Sequence, residues 1–177
     1  MKSNLAITAV LIALGVALGL LLFAVPNVEG ISAVSFFAGA ILGAGGGALV
    51  GALTMSLFSL LNPLGPAPFP VFAAQVAGMS VIGCSGALWV SLVRGPARAG
   101  LLAGVFGGVL TCIYDVITNY GIAVSMGRYD DPLPVIAAGI PFSVMHIVAN
   151  VLIFAGIGTF AYYRRGSRTD GSRKDSD

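Results

Sequence analysis

Three residues in the apolar part of this sequence carry side chains suited to acid–base or hydrogen-bonding chemistry. Asp115 and Asn119 are four residues apart, which places them on one face of a helix, and His146 lies in the next apolar segment. Asp115 is the one formally charged residue inside the hydrophobic segments. An ionised carboxylate in hydrocarbon costs roughly 2.5–3.5 kcal/mol on insertion scales, so it needs an interior position, a partner or a proton. The stretch around Asp115 is therefore the first candidate for a functional site.

The composition is that of an integral membrane protein. Of 177 residues, 57% are hydrophobic and 9% are charged, with a mean hydropathy of +0.97, whereas soluble domains carry about 25% charged residues. The formal charge of +2 comes from arginines at segment ends and from the tail, so it predicts orientation in a membrane and no nucleic-acid binding. Cys84 and Cys112 fall in apolar segments and are expected to be buried free thiols. No metal-ligand spacing or nucleotide-binding loop occurs, so no cofactor is predicted for this chain.

The hydropathy pattern predicts an all-α bundle of six transmembrane helices followed by a disordered tail. A 31-residue apolar stretch is divided in two at the glycine run Gly45–Gly47, which is expected to form a tight turn. The predicted spans are 5–25, 31–44, 46–61, 71–93, 99–126 and 135–163, and the tail is 164–177.

The basic residues predict the topology of these spans. With six spans and both termini in the cytoplasm, all but one of the Lys and Arg residues placed by this argument lie on the cytoplasmic side. The exception is Arg128, in the loop before the last span. The cytoplasmic residues are Lys2, Arg94, Arg98, Arg164, Arg165, Arg168, Arg173 and Lys174.

This topology predicts a small polar pocket that opens toward the outside, beneath the proline-rich loop 62–70 and the loop 128–134. The loop 26–30 can add Asn27 and Glu29 to it. The predicted ligand-binding residues are Asp115, Asn119, Tyr120, Gln75, His146, Asn150, Asn62 and Tyr129. Simpler roles stay open: Asp115 as a structural partner of His146, Gln75 and Asn150 as interhelical hydrogen-bonding groups, and Tyr129 as an interface anchor. Trp89, near a span end, is predicted to be an aromatic-belt residue.

Small residues recur at four-residue spacing in two places, which is typical of surfaces where helices approach closely. Ala9, Ala13 and Ala17 form a stripe on the first span, either for another helix of this chain or for a partner. Gly43, Gly47 and Gly51 form a ridge for which helix packing is the favoured interpretation.

With these features, residues 5–163 resemble the substrate-binding S components of energy-coupling factor (ECF) vitamin transporters. The resemblance is carried by the stripe on the first span, the glycine-rich second and third spans, the segment 114–119, and the segment from Pro141 through His146 and Asn150 to Phe154. It implies a subunit in the cytoplasmic membrane of a prokaryote that captures a vitamin-like solute from outside. It also implies that the alanine stripe contacts a transmembrane coupling subunit, that two partner ATPases hydrolyse ATP, and that the subunit topples to release its ligand inward. Cobalamin is one conceivable substrate, with Cys84 or His146 as a cobalt ligand.

Two other classes of function compete with transport. The first is a structural, envelope-assembly membrane protein in which the polar residues only join helices. The second is an intramembrane enzyme that uses Asp115 and His146 as an acid–base pair, but the sequence offers neither a nucleophile nor a metal constellation to go with it. The chain is therefore not expected to be an enzyme.

Overall fold

The computed structural model describes the backbone of residues 2–174 and the side chains of residues 4–163. The described chain is all-helical, with no strand. Its helices are α1 (Lys2–Leu22), α2 (Ile31–Leu61), α3 (Phe69–Leu92), α4 (Pro96–Ser125) and α5 (Leu133–Lys174). Within these residues, all five helices are long and apolar enough to cross a membrane, which confirms the prediction of a multi-pass helical membrane protein. Large apolar side chains face outward, such as Leu5 (73% exposed) and Leu152 (68%).

Helix α2 is two helical segments joined by a reversal of the chain at Gly43. Gly43 has φ 82° and ψ 173°, a conformation that is essentially restricted to glycine. A Cβ added to Gly47 would lie 2.5 Å from the Cα of Gly39, although eight residues of straight helix would separate them by about 12 Å. The two segments therefore run antiparallel. The turn comes at Gly43, two residues before the predicted glycine run.

The helices form an up-and-down arrangement in which each packs mainly against its neighbours in sequence. We call the end of the bundle that carries the loops 23–30, 62–68 and 126–132 the upper end. The lower end carries the Gly43 turn and the loop 93–95. Helix α1 is peripheral and packs on α2 alone, where Gly15 and Gly19 allow close approach to Thr54 and Phe58.

Glycines bring the backbones of α2 and α3 into contact. A Cβ on Gly47 would overlap the carbonyl of Gly83, and one on Gly51 would overlap the carbonyl of Met79. Gly47 and Gly51 thus pack against another helix, as the spacing predicts, whereas Gly43 forms the turn instead.

An aromatic cluster fills the core between α2, α3, α4 and α5. Phe36 lies at its centre, with its ring centroid 5.0 Å from Phe154, 5.6 Å from Phe106 and 5.9 Å from Trp89. The prediction for Trp89 was wrong: it is 4% exposed, and its indole Nε1 donates to the carbonyl of Ala99 at 3.1 Å. A buried indole needs such an acceptor, and the start of α4 supplies it.

Two further sequence expectations differ from the structure. Cys84 and Cys112 are exposed on the helix surfaces rather than buried. Helix α5 continues to Lys174, where a disordered tail was predicted from Arg164.

Candidate ligand-binding site

The centre of the candidate site is a buried pair formed by Asp115 on α4 and His146 on α5. The two residues are 8% and 7% exposed, and His146 Nδ1 lies 2.9 Å from Asp115 Oδ1. The second carboxylate oxygen, Asp115 Oδ2, is buried and has no hydrogen-bond partner among the described side chains and backbone. The pair therefore explains only half of the hydrogen-bonding capacity of Asp115.

A second carboxylate, Glu29, approaches the other nitrogen of the same imidazole. Glu29 Oε1 lies 3.6 Å from His146 Nε2, beyond hydrogen-bonding distance but close enough for electrostatic attraction. Its carboxylate also accepts from the backbone N–H of Ile31 (2.6 Å) and of Ser32 (3.1 Å). Glu29 thus occupies the N-terminus of α2, where a negative charge is favoured.

The environment of Glu29 holds its carboxyl in the ionised form. Burial acts to raise its pKa, but the attraction of His146 and the hydrogen bonds from Ser32 outweigh that effect and lower the pKa from 4.5. Glu29 therefore remains a carboxylate at neutral pH.

The three ionisable groups have an excess of negative charge. Two carboxylates face one imidazole, so the group carries a net negative charge when both are ionised, even with a doubly protonated ring. Among residues 4–163, no lysine or arginine forms an ion pair with Glu29 or Asp115, and Arg128 pairs with Asp131 in an exposed loop instead. Tyr114 packs edge-on against His146 at 6.1 Å between ring centroids and directs its hydroxyl to the sulfur of Met55.

A cavity of about 270 Å³ adjoins this group, between α4, α5 and the loop 23–30. Its lining combines amide, hydroxyl and carboxylate groups with two large apolar side chains. The lining residues are Asn27, Asp115, Thr118, Asn119, Ile122, Gly139, Phe142 and Ser143. Gly139 makes room for Asn119, since an added Cβ would lie 2.7 Å from the Asn119 amide nitrogen.

The structure brings together part of the predicted binding set. Asp115 and Asn119 line the cavity, and His146 lies behind Asp115. Asn150 is fully buried one helical turn further along α5, where its Nδ2 donates to Thr111 Oγ1 at 2.8 Å. That pair joins α4 to α5 below the cavity.

The other four predicted residues lie outside the cavity. Gln75 on α3 has a buried Oε1 with no hydrogen-bond partner among the described residues. Asn62 accepts from the backbone N–H of Leu64 at 2.9 Å, which stabilises the turn after α2. Tyr120 and Tyr129 are 46% and 62% exposed.

Sequence reasoning did not find the α5 wall of the cavity, nor Glu29 as a partner of His146. The signal for the wall is helical periodicity. Residues 115, 118, 119 and 122 of α4 face residues 139, 142, 143 and 146 of α5, both sets at i, i+3, i+4, i+7 spacing. The signal for Glu29 is an acidic side chain directly ahead of a helix.

Two other surfaces of the protein differ in character from this cavity. A larger cavity of about 560 Å³ near the lower end is lined mainly by apolar side chains, including Phe37, Trp89 and Ile157, and it lacks the acid–base groups found above. On α1, the stripe Ala9, Ala13 and Ala17 is exposed along its whole length. The stripe therefore does not pack against the residues whose side chains the structure describes.

Neither known protein families, nor curated proteins, nor solved structures gave a match to this chain.

Proposed function

We propose that this protein is the substrate-binding subunit of an ECF-type importer in the cytoplasmic membrane of a prokaryote. It captures a vitamin-like solute in the upper cavity and delivers it inward with a coupling subunit and two ATPases. In this proposal the upper end faces outward, both termini are cytoplasmic, and the two segments of α2 count as two of six spans. ATP hydrolysis belongs to the partners, so the chain itself is not an enzyme.

The observation that carries the proposal is the cavity beside Asp115. It is lined by a few polar groups and two large apolar side chains, which is the usual composition of a small-molecule site. Asp115, one of the lining residues, also has a buried carboxylate oxygen without a partner among the described residues. Polar groups that served only to join helices would be expected to satisfy one another, as Thr111 and Asn150 partly do. The exposed stripe on α1 supports the second half of the proposal, because it leaves a smooth surface free for a helix of another subunit.

The capture step is tested by native mass spectrometry of the protein purified in lipid nanodiscs. We expect a co-purified small molecule, and we expect Asn119→Leu to lose it by filling the cavity. Tyr120→Leu is the matched control, since the neighbouring side chain lies outside the cavity. Absence of any bound small molecule, with none recovered on adding cell extract, would favour the structural alternative. Equal loss in both variants would place the site elsewhere.

The coupling step is tested at Ala13. We expect Ala13→Leu to block co-purification with a coupling subunit and ATPases co-expressed from the same genome, while ligand binding is retained. Leu14→Phe adds bulk at an exposed position on a different side of α1 and is expected to leave assembly intact. Assembly that survives Ala13→Leu would refute this use of the stripe.

A further inference from the structure

We infer that the ligand of the upper cavity is a small organic cation whose positively charged nitrogen binds beside Asp115. The inference rests on the proposed function and specifies the chemical class of its substrate. The observations behind it are the charge balance of the site, the unpartnered oxygen of Asp115, and the size and walls of the cavity.

The charge balance calls for a cation. Glu29 and Asp115 share a single imidazole, and no lysine or arginine among residues 4–163 pairs with either of them. When Asp115 is ionised, the two carboxylates carry one more charge than the imidazole can balance, and only the N-terminus of α2 offsets part of it. A bound ammonium or amidinium group would supply the missing positive charge.

The unpartnered oxygen gives the cation a specific acceptor. Asp115 lines the cavity, is 8% exposed, and uses only Oδ1 in its hydrogen bond to His146. Its Oδ2 is buried and has no partner among the described residues, so the carboxylate keeps an unused acceptor beside the cavity, and a charge-assisted N–H hydrogen bond to a carboxylate is stronger than a neutral one. The side-chain amides of Asn27 and Asn119 offer further acceptor oxygens to the same ligand.

The cavity fits an organic cation better than a metal ion. Among the described residues, no group of three or more His, Cys, Asp or Glu side chains is placed to hold a metal. Ile122 and Phe142 supply apolar walls, and the face of Phe142 is a favourable neighbour for a cation. The volume of about 270 Å³ lies just below that of sites for drug-sized ligands and is far too small for a corrinoid such as cobalamin.

The test uses three flat probes of nearly equal shape and different charge: benzamidine, benzamide and benzoate. Each is titrated by calorimetry into the protein in nanodiscs at neutral pH. We expect benzamidine to bind at least tenfold more tightly than benzamide, a difference of about 1.4 kcal/mol, and benzoate not to bind. Asp115→Asn, which keeps an acceptor for His146, is expected to abolish the preference for benzamidine.

A second variant keeps the inference testable if Asp115→Asn does not fold. Glu29→Gln keeps an acceptor for the backbone of Ile31 and Ser32 while removing one negative charge, so it is expected to weaken the preference severalfold. The inference is overturned if benzamidine shows no saturable binding, if benzamide or benzoate binds as well, or if the preference survives in the folded variants. A neutral or anionic co-purified molecule would likewise overturn it and leave the proposed function standing, whereas the absence of any bound molecule would count against the function itself.

Discussion

Replacing Glu29 by alanine tests whether the loop 23–30 is held to the bundle by this one carboxylate. The change removes the acceptor of the Ile31 and Ser32 backbone N–H groups, at a cost of about 0.5–2 kcal/mol for a lost helix cap. It also removes the negative charge 3.6 Å from His146 Nε2, and the attraction within such a pair is worth on the order of 1 kcal/mol. We therefore expect a destabilisation of about 1.5–3 kcal/mol. For a chain of this length this corresponds to a fall in Tm of roughly 3–12 °C.

The dependence on pH distinguishes this explanation from a general loss of packing. The pKa of Glu29 is lowered on folding, so its contribution to stability is fully present above about pH 4.5 and is lost as the pH falls through the folded value. The difference in Tm between wild type and Glu29→Ala should accordingly be largest near neutral pH and shrink below pH 4.5. Glu29→Gln should lie between the two proteins at neutral pH, because it keeps the acceptor oxygen without the charge.

The assay is thermal unfolding of the detergent-purified protein, followed by intrinsic fluorescence between pH 3.5 and 7.5. Asp131→Ala is the matched control: it removes a carboxylate that is 65% exposed and pairs with Arg128 at 3.3 Å, and such surface pairs contribute about 0–1 kcal/mol. An unchanged Tm for Glu29→Ala at neutral pH would refute the reasoning. A difference that stays constant from neutral pH down to the lowest pH at which the protein remains folded would assign the effect to packing instead of charge.

Three other predictions concern stability. Gly51→Ala should destabilise the protein by about 1–3 kcal/mol, because its Cβ would overlap the Met79 carbonyl. Gly45→Ala, with open space around its Cβ, should be neutral or slightly stabilising. Equal effects of the two changes in denaturant titrations would contradict this packing. Gly43→Ala should cost about 1–3 kcal/mol, since its backbone conformation excludes side chains, and an unchanged unfolding midpoint would show that the turn lies elsewhere. Thr111→Val should cost about 1–3 kcal/mol of stability, because it leaves Asn150 Nδ2 unpaired in the core. Thr118→Val serves as the comparison and should cost less, because the Thr118 hydroxyl donates only to a carbonyl of its own helix.

Most of the fold follows from local properties of the sequence. Hydropathy predicts the spans because a helix needs about 20 apolar residues to cross a bilayer, and the bounds of α1, α3 and α4 differ from prediction by only a few residues. The position of the reversal in α2 was harder to predict. Five glycines between residues 39 and 47 all permit a turn, and Gly39 and Gly47 are instead used for contacts between backbones. The neighbouring helix decides which glycine forms the turn and which glycines pack against another backbone. The local sequence contains no information about that helix.

The candidate site shows the same division between local and tertiary information. Asp115 and Asn119 are conspicuous in an apolar segment, and the four-residue spacing is enough to place them on one face. Tyr120 satisfied the same argument from depth, yet it lies outside the cavity, because depth along the bundle says nothing about rotation around a helix axis. Tyr129 lies in the exposed loop after α4 and is also outside the cavity. Residues such as Phe142 and Ser143 become informative only when the α5 face is read together with the α4 face.

Glu29 is the residue whose role depends most on tertiary structure. In sequence it is a loop acid that can be added to the predicted pocket, and its position before an apolar run indicates a helix N-terminus. Neither observation pairs it with His146. The fold places that N-terminus inside the bundle, where Ile31, Ser32 and Ser35 are almost fully buried. The Glu29 carboxylate therefore lies beside His146. The Glu29 carboxylate then accepts hydrogen bonds from the N-terminus of α2 and also attracts the imidazole of His146. The same arrangement leaves the site with more negative than positive charge, and a cationic ligand would complete it.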